Sequence, residues 1–226
     1  ILNKEEKLYS GKILKLPEIW NAHSGFDFKR QYNQSPLSES SDFTFGSFNN
    51  FQKISEETLN TWSKILKESS KFKLILKSSE LCDNTSLFNY FKKEKVERQV
   101  QFLEKKNFKN KEDHLNLYKN IDLALDTFPY NGVTTTFEAL WMNVPVLVLR
   151  GHNFNSRCGE SIMKNCNLDY FIALNNDEYV EKAIFLTKNK KKLQEYRRFL
   201  FENVLSSPLF NTQKFSKNFS DALLKL

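Results

Sequence analysis

The chain has 226 residues, 40% hydrophobic and 27% charged, which suits a packed core and excludes global disorder. No segment approaches the roughly 18 uncharged apolar residues of a membrane helix. The net charge is +7, but the lysines are scattered and no nucleic-acid-binding module is recognisable, so we expect neither a membrane nor a nucleic acid as partner. Cys82, Cys158 and Cys166 lack paired spacing, which favours a reducing, cytoplasmic compartment over a disulfide framework.

The first part of the chain lacks a regular strand–helix pattern. Residues 1–20 predict a short helix followed by an extended piece at 12–17, and 31–41 is a polar, Ser-rich connector. The regular pattern begins at Asp42. We therefore predict a preceding segment over 1–41 and one lobe over 42–226.

Within this lobe, predicted strands and helices alternate. Phe43, Phe45 and Phe48 mark the first strand, and Ser55 opens the first helix, which has acidic residues in its first turn. The further predicted strands are 72–77, 98–103, 121–126, 144–149 and 170–174. The further predicted helices lie near 85–94, 111–119, 134–143 and 156–166, from Asp177 onwards, and near 190–204 and 211–225. This alternation predicts an α/β fold with a doubly wound, Rossmann-like parallel sheet, which binds ligands beyond the carboxyl ends of its strands.

Several standard sites are absent from the sequence. The first strand is not followed by Gly-x-Gly-x-x-Gly, and neither Gly-x-x-x-x-Gly-Lys-Ser/Thr nor Gly-x-Ser-x-Gly occurs. A dinucleotide dehydrogenase, a P-loop ATPase and an α/β-hydrolase are therefore disfavoured. His23, His114 and His152 are far apart and lack metal-ligand spacing, so we expect no bound metal and no cofactor.

The stretch 122–149 is the most informative part of the sequence. A buried strand ends at Asp126, a tight turn ends at Gly132, and Thr134 and Thr135 open a helix. A helix start offers unpaired backbone N–H groups and a positive dipole end, and glycine allows the backbone to approach a ligand closely. The stretch therefore predicts a phosphate site.

Glu138 lies one turn into the same helix, where its carboxylate is placed to accept a hydrogen bond from a ribose hydroxyl. The alternative is that Thr134 is only an N-cap and Glu138 only a surface acid. Three threonines after Asn131 and Gly132, followed by Glu-Ala-Leu and a Val-Pro-Val strand, favour the phosphate site.

This order of motifs resembles the donor-nucleotide helix of GT-B glycosyltransferases. More narrowly, it resembles the C-terminal lobe of the O-linked N-acetylglucosamine transferases and their plant SPINDLY-type relatives. Segments 45–54, 122–127 and 206–212 fit the same family in the same order, as does Ser156-Arg157. The resemblance covers about residues 8–226 and is best with the bacterial branch of the family.

The resemblance implies the C-terminal, donor-binding half of a GT-B enzyme. Such an enzyme moves N-acetylglucosamine from UDP-N-acetylglucosamine to Ser or Thr of proteins, with inversion and without a metal. One alternative is a related enzyme that uses GDP-fucose or UDP-glucose. Another is a non-catalytic nucleotide-binding or protein-interaction module.

The resemblance also assigns roles to residues. Lys53 matches a lysine that faces the donor phosphates, where an ammonium stabilises the charge that grows on the leaving UDP, and it is the predicted catalytic residue. Lys111 and His114 match the segment at uracil and ribose. By themselves, Lys53 would be a solvated lysine and His114 a helix-surface histidine. The predicted donor-binding residues are Asn50, Lys111, His114, Asn131, Gly132, Thr134, Thr135 and Glu138.

Two positions depart from the animal enzymes of the family: Val133 stands where they carry His, and Glu138 is one methylene longer than their Asp. The family's N-terminal catalytic lobe and tetratricopeptide repeats have no counterpart in this sequence. We therefore expect a fragment in which 1–41 is the tail of that lobe plus the connector, and in which the isolated chain is inactive.

Overall fold

The computed structural model describes residues 6–32, 42–77, 84–104 and 109–225. Cys82, residues 1–5 and most of the predicted connector lie outside the described residues. The strands are β1 (Phe43–Ser47), β2 (Phe72–Lys77), β3 (Val100–Leu103), β4 (Leu123–Leu125), β5 (Val146–Leu149) and β6 (Ile172–Ala173). The α-helices are α1 (Glu56–Lys67), α2 (Thr85–Lys93), α3 (Lys111–Asn116), α4 (Thr134–Trp141), α5 (Cys158–Asn165), α6 (Asn176–Lys188), α7 (Lys190–Asn203) and α8 (Thr212–Leu223).

The strands form one parallel sheet in the order β3-β2-β1-β4-β5-β6. The chain builds outward from β1 to β3 and then returns to the other side of β1 with β4. The direction of winding therefore reverses between β1 and β4, and such a reversal leaves a crevice at the carboxyl ends of the two strands. The predicted doubly wound α/β sheet is confirmed.

The sheet is covered on both faces, and β4 and β5 are apolar throughout for this reason. Every residue of β4 and β5 is buried. On α1, Trp62, Ile65 and Leu66 recur at helical spacing and are buried. The helix begins where predicted, because the Ser55 side chain accepts a hydrogen bond from the Thr58 amide at 3.1 Å.

Four predicted strands, those that correspond to β3, β4, β5 and β6, are shorter in the structure, and in two of them a 3-10 helix takes the place of the first residues. The third strand starts at Val100 rather than at residue 98, because Gln99 belongs to a 3-10 helix. Its side-chain Nε2 lies 2.8–3.0 Å from three backbone carbonyl oxygens, those of Leu66 in α1, Ser69 in the connection and Phe72 in β2. The last strand is reduced to Ile172–Ala173, because residues Asp169–Phe171 form another 3-10 helix.

Residues 6–32 pack against the lobe and form neither a β-strand nor an α-helix. They contain a 3-10 helix at Glu6–Leu8, and 12–17 has no regular secondary structure. The Arg30 guanidinium donates to the carbonyl of Trp141 at 2.8 Å and to that of Phe201 at 3.0 Å, which attaches this segment to the ends of two helices. The boundary at residue 41 stays a prediction. No helix of the described residues has the length and apolar composition to cross a membrane.

Candidate functional site

The crevice at the β1–β4 reversal brings together two loops. The loop after β1 runs through Asn49 and Asn50 into a 3-10 helix at Phe51–Lys53. The loop after β4 runs from Asp126 to Val133 and leads directly into α4. The catalytic lysine and the phosphate turn that the sequence predicts therefore face each other across the point where open α/β sheets bind ligands.

A fully buried carboxylate holds the turn after β4. Asp126 Oδ1 accepts hydrogen bonds from the Gly132 amide at 2.7 Å, the Thr127 amide at 2.9 Å and Asn49 Nδ2 at 3.1 Å. Burial raises the pKa of Asp126 to about 7, although these hydrogen bonds and the positive charge of Lys53 lower it. The carboxylate thus fixes the Gly132 backbone beside the start of α4.

Asn131, a predicted donor-binding residue, is buried inside this turn. Its Nδ2 donates to the Thr127 carbonyl at 3.0 Å, and its Oδ1 accepts from the Gly159 amide at 3.1 Å. The peptide bond between Phe128 and Pro129 in the same turn is cis. The Asn131 side chain therefore joins the turn to the first residues of α5.

The start of α4 has no side-chain cap. Val133 occupies the N-cap position and makes no capping hydrogen bond, and Thr134 is the exposed first residue of the helix. The interpretation of Thr134 as a mere N-cap is therefore wrong. Because the first N–H groups of a helix have no partner within it, this end is open to an anion. The Thr135 hydroxyl donates to Asn49 Oδ1 at 2.6 Å, which connects the helix start to the loop after β1.

Lys53 reaches across the crevice towards the turn. Its Nζ donates to the Asn131 carbonyl at 3.1 Å and lies 4.2 Å from the centre of the Tyr130 ring, within cation–π range. Burial lowers the pKa of Lys53, and the nearby Asp126 raises it. Lys53 is therefore not simply a solvated lysine. The exposed Asn50, in contrast, uses its Oδ1 to accept from the Gln52 amide at 3.0 Å, as the cap of its own short helix.

Glu138 and His114 form a buried pair. Glu138 Oε2 lies 2.9 Å from His114 Nε2 and 3.1 Å from the Tyr118 hydroxyl, and both partners of the pair are over 90% buried. His114 Nδ1 lies 3.4 Å from Lys77 Nζ. The simpler interpretations, a surface acid and a surface histidine, are both wrong. The structure places the two residues predicted for the nucleoside in direct contact.

Lys111 lies at the outer side of this pair. It is exposed, and its Nζ is 4.8 Å from the centre of the Phe26 ring. His23 stacks on the same ring at 4.3 Å. Burial lowers the pKa of His23, and the positive charge of Lys111 lowers it further, whereas the negative charge of Glu138 raises it. The segment before the lobe thus packs beside the predicted nucleoside side of the site.

Sequence reasoning missed Asn49 and Asp126 as site residues. Both are buried and hydrogen-bonded to the turn, whereas Asn50, chosen instead of Asn49, is exposed. A signal was available for each. Asp126 is the first residue after a wholly buried strand, and Asn49 continues the alternate positions of β1 that begin with Phe43 and Phe45. The roles of the predicted site residues in ligand binding stay predictions.

Comparisons with known proteins agree with this fold. The sequence pattern of glycosyl transferase family 41 matches residues 29–219. A SPINDLY protein from Solanum lycopersicum, described as a probable UDP-N-acetylglucosamine–peptide N-acetylglucosaminyltransferase, is 35% identical over 92% of this chain. The chain spans 22% of the length of that relative.

Solved structures give the same result. The Thermobaculum terrenum O-GlcNAc transferase, in a K341M mutant form, superposes with a TM-score of 0.85 at 26% identity over 98% of this chain and 42% of its own. The Anabaena Alr3699/HepE protein, solved with UDP and glucose, shares the fold alone, with a TM-score of 0.61 at 15% identity over 86% of this chain and 54% of its own. These matches confirm the predicted half of a GT-B glycosyltransferase. With the family pattern matching most of its length, the chain belongs to glycosyl transferase family 41.

Proposed function

We propose that this chain is the donor-binding lobe of an inverting glycosyltransferase that uses UDP-N-acetylglucosamine and modifies Ser or Thr of proteins without a metal. The observation that carries the proposal is the uncapped start of α4, with Gly132 before it and Lys53 opposite. The name of the tomato relative supports the class of donor and acceptor. The acceptor side and the general base belong, in this proposal, to a preceding catalytic lobe with tetratricopeptide repeats.

The diphosphate of the donor binds at the start of α4. The backbone N–H groups there and the exposed Thr134 hydroxyl donate hydrogen bonds, and the helix dipole favours the negative charge. Lys53 then acts on the leaving group. When the glycosidic bond breaks, charge grows on the departing UDP, and an ammonium already fixed beside the site stabilises that charge without solvent reorganisation.

The nucleoside binds beside the buried pair of Glu138 and His114. In this arrangement His114 Nδ1 accepts a hydrogen bond from the Lys77 ammonium, so that the proton of the imidazole is on Nε2. His114 Nε2 then donates to Glu138 Oε2. The second carboxylate oxygen then accepts a bond from a ribose hydroxyl. Lys111 and the adjoining Phe26 line the outer edge of this side of the site.

The first prediction concerns the ligand. UDP should bind the 226-residue chain, more tightly than GDP, and with unchanged affinity in EDTA, because the helix start and Lys53 supply the positive field. Isothermal titration calorimetry with and without EDTA measures this. Binding that is lost in EDTA contradicts the metal-independent mechanism, and tighter binding of GDP favours a fucosyl donor.

The second prediction concerns activity. The isolated chain should not transfer sugar at a useful rate, because acceptor positioning and proton removal need groups on the preceding lobe. Transfer of radiolabelled sugar to peptide acceptors, measured side by side for the chain and for a longer form of the protein, tests it. Robust turnover by the chain alone would locate the complete catalytic machinery within these residues.

A further inference from the structure

Asp126 is a buried acid at the carboxyl end of β4, the edge at which parallel sheets bind ligands. It follows the last residue of β4, is 1% exposed, and contacts the loop after β1 as well as the turn before α4. A buried carboxylate is costly unless hydrogen bonds or helix ends compensate for its lost hydration. The compensation here comes from groups that shape the site.

One oxygen of the carboxylate organises the turn and the facing loop. Oδ1 accepts from the amides of Gly132 and Thr127 and from Asn49 Nδ2. The last of these bonds fixes the orientation of Asn49, whose own Oδ1 then faces Thr135 and accepts from its hydroxyl at 2.6 Å. A chain of hydrogen bonds thus runs from Asp126 to the second residue of α4.

The other oxygen faces the start of α5. Oδ2 is buried and has no hydrogen-bond partner among the described residues. A Cβ atom at Gly159 would lie 3.0 Å from it and 2.8 Å from Val148 Cγ1, so only glycine fits there. Like α4, α5 has no side-chain cap, and the Gly159 amide donates to Asn131 in the turn. Two helix starts therefore meet around one carboxylate, whose charge they favour.

Asp122, just before the same strand, provides the contrast. It is equally buried, but it lies before β4 and its Oδ2 accepts from the Thr44 amide at 2.8 Å, which supports the pairing of β4 with β1. Burial alone therefore does not distinguish the two acids. Only Asp126 is bonded to the turn that leads into α4.

We propose that Asp126 is a positioning residue of the donor site: it holds the Gly132 amide directly, and the Thr135 hydroxyl through Asn49, in the arrangement that receives a nucleoside diphosphate. The inference rests on the proposed function. Asp126 itself lies beneath the turn and is too buried to touch the ligand. Its contribution is the fixed direction of the groups above it, which would otherwise have to be ordered when the ligand binds.

The experiment titrates UDP into folded variants of the chain, with folding checked by circular dichroism. Asp126→Ala removes the acceptor of all three N–H groups and should weaken UDP binding at least about thirtyfold. Asp126→Asn keeps an acceptor oxygen in place and should stay within about fivefold of the wild type. Asn49→Ala removes the link from Asp126 to Thr135 but leaves the bonds of Asp126 to the Gly132 and Thr127 amides, and it should cost about tenfold. Asp122→Asn, the matched control, should bind within about twofold.

Wild-type affinity in Asp126→Ala overturns the inference. So does a loss in Asp126→Asn as large as that in Asp126→Ala, because the charge and not the accepted hydrogen bonds would then matter. If Asp126→Ala does not fold, Asn49→Ala decides, and unchanged affinity in that variant overturns the inference.

A wild-type chain that binds neither UDP nor GDP contradicts the proposed function, and hydrogen–deuterium exchange of the free protein then tests the inference separately. Residues 127–136 should exchange at least about tenfold faster in Asn49→Ala, and in Asp126→Ala where it folds, than in Asp122→Asn. Equal exchange in this segment overturns the positioning role.

Discussion

Replacement of Lys53 by alanine should lower the turnover of an active protein that contains this chain by about a hundredfold or more, as expected for the loss of one transition-state donor. The structure supports this size of effect, because the ammonium is half-buried and held by the Asn131 carbonyl and the Tyr130 ring. A charge fixed before the reaction acts mainly on the transition state, where the departing phosphate becomes more negative. Steady-state kinetics with a saturating donor measures turnover directly.

Thr134→Val is the matched variant for Lys53→Ala. Thr134 also faces the phosphates in this proposal, but as a neutral hydroxyl that contributes about 1.5–3 kcal/mol to a bond with a charged group. The valine should therefore mainly raise the Michaelis constant for the donor, while its near-equal volume preserves folding. If Lys53→Ala lowers donor affinity and leaves turnover intact, Lys53 is a binding residue and its catalytic assignment is wrong.

Gly132→Ala should abolish measurable UDP binding, with a loss of at least about a hundredfold, because several donor groups move together. A Cβ atom at this position would lie 2.5 Å from Thr135 Oγ1, 2.6 Å from Asn49 Oδ1 and 2.9 Å from Asp126 Oδ1. All three atoms belong to one hydrogen-bonded cluster, so none of these side chains can change its rotamer without breaking a hydrogen bond. The methyl group must displace the turn and with it the start of α4.

The control for this variant is Gly11→Ala, because an added Cβ there meets nothing within 4 Å. Calorimetry should give wild-type affinity for Gly11→Ala, and circular dichroism should show an intact sheet for both variants, since Gly132 lies outside the strands. Wild-type UDP affinity in Gly132→Ala would show that the ligand does not use this turn.

The sequence predicted the sheet well because burial on both faces leaves a strong pattern. Continuous apolar runs at β4 and β5 and helical spacing on α1 are direct consequences of that burial. The ends of elements were less predictable. The third strand starts late because Gln99 donates to carbonyls about 27 to 33 residues away in sequence, a contact that local patterns do not contain.

In the candidate site, too, features with a local sequence signature were predictable and contacts between distant residues were not. The position of Gly132, Thr134 and Thr135 at a turn that leads into a helix was predictable, because a glycine turn before a helix has a local signature. The choice between Asn49 and Asn50 depended on which amide turns inward, and that follows from the buried Asp126 rather than from either asparagine. Likewise, the contact between His114 and Glu138 joins residues of two helices, which spacing along the chain does not reveal.

The crowding around Asp126 has an evolutionary consequence. A Cβ atom at Gly132 would lie 2.9 Å from one carboxylate oxygen, and a Cβ atom at Gly159 would lie 3.0 Å from the other. The acid at 126 therefore helps to exclude larger residues from both positions, and the two glycines leave room for its carboxylate. A homologue that keeps this acid should therefore keep both glycines, whereas loss of the acid alone would free neither position, because Thr135 and Asn49 still crowd Gly132 and Val148 still crowds Gly159.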